Sequence, residues 1–273
     1  VFSIAIPHDF LSESPDEASK VRKIGFLARA AAIFKAPLII IYHYGKPLRE
    51  EIDLMKTLLE YLATPPYLRK KVYKLDKRLK LAGLLPPLKI PSHVAPEEPR
   101  VGEVREGVVE RWDGYYSLVY IGGGRYAKVP KPYPIGTRLL VKIEAPTQRS
   151  DTFRASVFKG PPPAYWGYRV EVRPLETLTE GFDTVVLTGK EGKSICETNI
   201  RLGEKTLIVF GSPRKGVDEI YREAGLKPPG DLVNFVPGQG VETIRTEEAA
   251  FIVLGVLHYL ANCGARRGCS PRA

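Results

Sequence analysis

Three short apolar runs in the C-terminal part of the chain each end in a polar loop that carries glycine. That repetition narrows the possible folds more than any other feature. The runs are residues 184–188, ending at Gly189; residues 206–210, leading into Gly211-Ser-Pro-Arg-Lys-Gly216; and residues 232–236, leading into Pro237-Gly-Gln-Gly240. Apolar runs of this length bounded by turn residues read as buried strands. Near-continuous hydrophobicity suits a parallel sheet covered on both faces. Loops at one edge of such a sheet converge, and open α/β sheets bind ligands outside the carboxyl ends of their strands. The start of the chain fits the same architecture. An apolar strand over residues 1–6 precedes a helix over 18–35, with Ile24, Leu27, Ala28, Ala31 and Phe34 at helical spacing, and a second apolar strand follows over 37–42.

The third loop leads into a helix expected to run to about Asn262. Thr246 is expected as its N-cap, with Glu247 and Glu248 in the first turn, where the helix dipole favours negative charge. Gly238 and Gly240 free the backbone to approach a ligand, and Gln239, Thr243 and Arg245 stand beside them. An ordinary strand-to-helix connection is the competing reading of this segment alone.

Between the two α/β stretches the pattern changes. Residues 50–62 predict an amphipathic helix through Ile52, Met55, Leu58, Leu59 and Leu62. Residues 67–82 predict another, with Leu68, Val72, Leu75 and Leu79 on one face and Arg69, Lys70, Lys71, Lys74, Lys77, Arg78 and Lys80 on the others, against a single Asp76. So lopsided a run suits contact with a phosphate backbone, although charged helix faces are often merely solvated. Proline-rich connections at 85–91 and 96–99 follow, then strand-like runs at 102–112, 115–121, 125–129, 137–145 and 152–158. Asp113-Gly114 and Gly122-Gly-Gly124 are turn signals between them. These runs predict a small OB-like β-barrel. The expected organisation is a discontinuous α/β domain, residues 1–90 and 164–273, interrupted by the barrel at 91–163. Tyr115, Tyr116, Tyr120 and Tyr126, with Arg125 and Lys128, offer the stacking and charge that single-stranded nucleic acid needs. A small β module whose tyrosines only pack is the alternative.

A formal charge of +10 points to a polyanionic partner. Nucleic acid is favoured over membrane, because no apolar run reaches the roughly 18 residues of a spanning helix. Cys196, Cys263 and Cys269 lack zinc-type spacing, and His8, His43, His93 and His258 form no HxxxH pair, so no metal is expected. No signal peptide is read at the start of the chain, and a reducing, cytoplasmic setting is expected. Gly189-Lys-Glu-Gly-Lys-Ser194 has two residues where a phosphate-binding loop needs four, and Gly238-Gln-Gly-Val-Glu-Thr243 has Thr where a dinucleotide fingerprint needs Gly or Ala. Kinase, dehydrogenase and hydrolase readings recede accordingly.

Phe210-Gly-Ser-Pro-Arg-Lys-Gly216 and Val236-Pro-Gly-Gln-Gly-Val-Glu-Thr-Ile-Arg-Thr-Glu-Glu-Ala249 resemble the second and third motifs of the SPOUT (α/β-knot) RNA methyltransferases. Ala28-Arg-Ala-Ala-Ala-Ile-Phe34, with the strand after it, resembles their first motif. The order of parts is similar to the archaeal and eukaryotic subgroup with an OB-like insert. The resemblance implies a trefoil-knotted parallel-sheet domain, a homodimer, and S-adenosylmethionine held by the knot loops. Residue by residue, those loops are Thr188 and Gly189; Gly211, Ser212, Pro213 and Gly216; and Asn234, Val236, Pro237, Gly238, Gln239, Gly240 and Thr243. Arg29 resembles the arginine placed near the acceptor, across the dimer interface, with Arg245 and Glu242 as further catalytic candidates. The implied substrate is RNA, with a ribosomal uridine N3 favoured. It would be gripped by Arg69, Lys70, Lys74, Lys77, Tyr115, Arg125 and Lys128. The alternatives are a tRNA or ribose 2′-O acceptor, or a non-catalytic RNA-binding assembly factor that keeps the fold.

Overall fold

The computed structural model describes residues 2–94, 98–200 and 202–263. Cys269, the first residue of the expected opening strand and part of the proline-rich connection at 96–99 lie outside the described residues. The chain divides into two compact units, one drawn from Val1–Glu60, Leu81–Pro86 and Tyr168–Ala273, the other from Tyr61–Lys80 and Pro87–Gly167.

In chain order, β1 (Phe2–Pro7), α1 (Glu17–Ile33), β2 (Leu38–His43) and α2 (Arg49–Ala63) come first. Helix α3 (Pro66–Val72) then precedes β3 (Val104–Trp112), β4 (Ser117–Tyr120), β5 (Tyr126–Val129), β6 (Arg138–Pro146) and β7 (Thr152–Val157). The chain ends with β8 (Arg169–Pro174), β9 (Thr184–Ser194), β10 (Thr206–Val209), α4 (Val217–Glu223), β11 (Asp231–Asn234) and α5 (Thr246–Cys263).

The first unit is built on a parallel sheet of order β11-β9-β10-β1-β2-β8. Its central strands are buried on both faces, as their unbroken hydrophobicity requires. Successive side chains alternate between faces. Ala5, Leu38, Ile40, Tyr42, Leu207 and Val209 share one core cluster with Val217, Ile220 and Tyr221 of α4. Ile4, Ile6, Ile39 and Ile41, equally inaccessible to solvent, alternate with them and take the opposite face. Helices α1 and α5 pack beside each other.

Strand β9 departs from expectation. The apolar run predicts an end at residue 188, yet the strand continues to Ser194. Its pairing with β11 explains the difference: Leu187 faces Leu232 and Lys193 faces Val233, so residues 188–192 bulge out of the ladder and pairing resumes after them. A Cβ on Gly192 would lie 2.6 Å from the Leu232 carbonyl carbon, so the bulge closes only around a glycine.

In the second unit β3 to β7 close into a barrel of order β3-β4-β5-β7-β6, with the β5–β7 pair parallel and the other pairs antiparallel. Val109, Val119, Ile121, Val129, Val141, Ile143 and Phe153 fill its centre. The helix expected over 67–82 is not formed as such. Helix α3 stops at Val72, where Tyr73 turns extended at φ −105° and ψ 118°. A short 3-10 turn follows over Lys77–Leu79, capped by Asp76, whose carboxylate accepts from the Arg78 amide at 2.9 Å. The one acid in the basic run thus competes with helix continuation by bonding its own backbone. Tyr67 of α3 packs on Gly122, where φ is +94° and a Cβ would come within 2.8 Å of the ring, and its hydroxyl donates to the Glu106 carbonyl at 3.0 Å.

No helix among the described residues is long and apolar enough to cross a membrane. Among the described residues, no three or more His, Cys, Asp or Glu side chains are grouped to hold a metal ion.

Candidate active site

A cavity of about 290 Å³ opens at the carboxyl edge of β9, β10 and β11. All three glycine-bearing segments line it: Thr188 and Gly189 from the β9 bulge; Gly211, Ser212, Pro213 and Gly216 from the turn after β10; Asn234, Val236, Gln239 and Thr243 from the segment after β11. Pro237, Gly238 and Gly240 belong to that last segment without lining the cavity. Phe235, Ile244, Ile252 and Val253 make one wall apolar.

These segments are fixed by their own polar groups. The Tyr42 hydroxyl, fully buried, donates to the Phe210 carbonyl at 2.7 Å, and Thr188 donates to Val209 O at 3.1 Å. Ser212 Oγ accepts from the amides of Arg214 and Lys215, at 3.1 and 3.0 Å, which curls the β10 turn. Asn234 spans two segments: its Nδ2 donates to Lys190 O at 2.9 Å and its Oδ1 accepts from Val236 N at 2.9 Å. Gln239 donates to the carbonyls of Val241 and Glu242, at 2.9 and 3.1 Å, folding the last loop over itself around Gly238 at φ +74°. Below the β10 turn, Tyr44 donates to Asp9 Oδ2 at 3.0 Å, and burial, aided by the Asp9 charge, pushes its phenol up, so it stays a neutral donor.

Helix α5 begins one residue earlier than its sequence signal. The Arg245 carbonyl accepts the first helical bond from Ala249 N at 2.8 Å, and its amide is held by Glu248 Oε2 at 3.0 Å. Arg245 is therefore the N-cap in half of a capping box. Thr246, buried, instead donates its hydroxyl to Gly211 O at 3.2 Å, tying the helix start to the β10 turn.

A family model described as "Putative RNA methyltransferase" matches residues 1–257. The chain belongs to this family. Among its relatives, the 28S rRNA (uridine-N(3))-methyltransferase of Homo sapiens is 29% identical over 307 residues, spanning 97% of this chain and 80% of that protein. The Drosophila melanogaster protein of the same name is 28% identical over 299 residues, spanning 93% of this chain and 61% of its own length. An uncharacterized protein of Halobacterium salinarum is 28% identical over 282 residues, spanning 93% of this chain and 98% of its own.

An RNA methyltransferase is an enzyme that needs a methyl donor and an acceptor. The cavity is near the lower end of the ~300–1,000 Å³ typical of ligand pockets, with one apolar wall and convergent polar groups. Of the catalytic candidates, Glu242 and Arg245 line it; Arg29, half-buried on α1, does not do so within one chain. The residue that the sequence reading missed is Lys23. It is buried on α1, with its Nζ 4.7 Å from the Phe10 ring centre and 3.5 Å from Glu247 Oε2, and it lines the cavity. Its signal was a cation four residues before Leu27 on the apolar stripe of that helix.

The residues expected to grip RNA have varied surroundings. Lys70, Lys74, Lys77 and Tyr115 are exposed. Arg69 is engaged by its own chain: its guanidinium donates to the carbonyls of Thr64 and Leu62, at 3.0 and 3.2 Å, and lies over the Tyr61 ring. Arg125 donates to Ser150 O at 2.6 Å and pairs with Glu98 at 3.0 Å, while Lys128 sits over the Tyr116 ring.

Proposed function

We propose that this RNA methyltransferase uses S-adenosylmethionine to methylate N3 of a uridine in ribosomal RNA. The observation that carries the reading is the convergence of all three glycine-bearing segments on one cavity at the sheet's carboxyl edge. The named activities of the human and Drosophila relatives favour the acceptor. When bound, the sulfonium donor supplies an electrophilic methyl group. The chain's own contribution is alignment in a water-poor pocket and favouring of the anionic acceptor. Thr188, Gly189, Gly211, Ser212, Pro213, Gly216, Asn234 and the segment from Val236 to Thr243 would hold the adenosyl part, with backbone groups reading its edge. Arg29, Arg245 and Glu242 are the candidates beside the acceptor, Arg29 from a second copy.

The same reading extends to the parts around the site. The barrel is taken as OB-like, since its strand order and single parallel pair accord with that topology. With Lys70, Lys74, Lys77, Tyr115, Arg125 and Lys128 it would grip RNA. A trefoil knot among the last strands accords with β10 lying between β1 and β9 and β11 lying outside β9. A homodimer through α5 is supported by Tyr259 and Leu260, apolar and exposed at that helix's end. The cytoplasm is the expected setting. Isothermal calorimetry with S-adenosylmethionine and its demethylated product tests the donor site. Binding stronger than about millimolar is expected, and no heat at that concentration would refute the donor assignment.

A further inference from the structure

A second cavity, of about 410 Å³, adjoins the first and shares Glu13, Lys23 and Arg245 with it. Its remaining walls include Arg22, Phe26 and Glu247, none of which the reading above uses. Phe26 is a phenylalanine with 56% of its surface exposed. An exposed ring at a cavity rim beside cations is the equipment for stacking an unpaired base and holding its phosphate. Glu247 stands out chemically. Its side chain is only 12% exposed, its Oε2 is buried without a hydrogen-bond donor, and Lys23 Nζ is 3.5 Å from that oxygen. Beyond its ion pair with Lys23, that oxygen accepts no hydrogen bond among the described residues, so it can take one from a ligand N–H.

We infer that the second cavity receives the acceptor uracil, and that Glu247 takes the proton from its N3 while Lys23 favours the resulting anion. The inference rests on the uridine-N3 reading. The carboxylate stands in the first turn of α5 with the Lys23 ammonium 3.5 Å away. A carboxylate is a weaker base than the uracil anion it would leave, so the cations Lys23 and Arg245 must favour that anion for the step to proceed. The step balances. The N3–H bond breaks and an O–H bond forms on Glu247. The nitrogen pair makes the new N–C bond, and the sulfur of the methyl donor keeps the electrons of the broken C–S bond. A neutral acid, a neutral thioether and N3-methyluridine result. The charged groups lining the cavity with Glu247 are Glu13, Arg22, Lys23 and Arg245.

The test compares wild type, Glu247→Gln and Glu247→Asp as full chains. Wild-type formation of N3-methyluridine is established first; its absence strikes the functional reading and not the role of Glu247. Glu247→Gln is expected to lower kcat at least ~100-fold, as loss of a general base does, with the donor's Kd and the thermal midpoint unchanged. Glu247→Asp is expected to fall between the two. RNA carrying 5-fluorouridine, whose N3 proton is more acidic, is expected to restore Glu247→Gln at least about tenfold relative to wild type. Independently of turnover, fluorine NMR of 5-fluorouridine monophosphate with donor-free protein is expected to show weaker binding to both Phe26→Ala and Lys23→Met. A kcat loss smaller than that, a parallel loss of donor affinity or fold, absent rescue by the acidic base, or unchanged nucleotide binding overturns the assignment.

Discussion

Gly192 is a position where one atom separates a formed site from a broken one. A Cβ there would meet the carbonyl carbon and oxygen of Leu232, both at 2.6 Å, and the Val233 amide at 2.7 Å. These are backbone atoms of β11, which cannot swing away as a flexible side chain could. Gly192→Ala should push β11 from the β9 bulge, costing about 1–3 kcal/mol as overpacking does and weakening donor binding, since Thr188, Gly189 and Asn234 depend on that register. A wild-type denaturation midpoint together with wild-type calorimetry would refute this. Legibility at this scale was uneven. The polar residues flanking the glycines could be placed together at one sheet edge because each apolar run ends in them. Lys23 was signalled only by its place on an apolar stripe, and Thr246 was misread as a cap because it spends its hydroxyl on Gly211 rather than on its own helix. Both depend on neighbours distant in sequence.

Among the elements, the short turn Pro91–His93 carries the clearest pH signature. The His93 imidazole is held to about pKa 4 by burial, despite its bond from Nε2 to Ala63 O at 3.2 Å. The unfolded chain binds this proton near pH 6.5 and the folded chain does not. Its contribution is therefore complete above about pH 6.5 and lost as pH falls toward about 4. His8, also lowered by burial, acts in the same direction. Urea midpoints at about pH 7.5 and about pH 5 should differ less for His93→Gln, which can still donate to Ala63, than for wild type. An undiminished difference would contradict the account. The apolar strands β1, β2, β10 and β11 and the five barrel strands were legible, since buried strands and turn residues leave local signals. The helix over 67–82 was misread because the apolar spacing ran through Asp76, whose carboxylate favours a cap over continuation. The extension of β9 past Gly189 was invisible because a bulge is decided by its partner strand, not by its own residues.

For the molecule as a whole, the formal charge of +10 and the family together frame the substrate. Replacing Lys70, Lys74 and Lys77 together with Ala should weaken RNA binding uniformly across sequences. At ~0.7 per phosphate contact on single strands, the slope of log affinity against log salt should shrink by about 2, while donor affinity stays the same. An unchanged salt slope would remove these lysines from the interface. The most direct measurement of the central claim gives the protein methyl-labelled S-adenosylmethionine and unmodified ribosomal RNA. The RNA is then digested and the labelled nucleoside identified by mass. Label in N3-methyluridine is the predicted result; label on a ribose or on another base, or none in the RNA, would contradict the account.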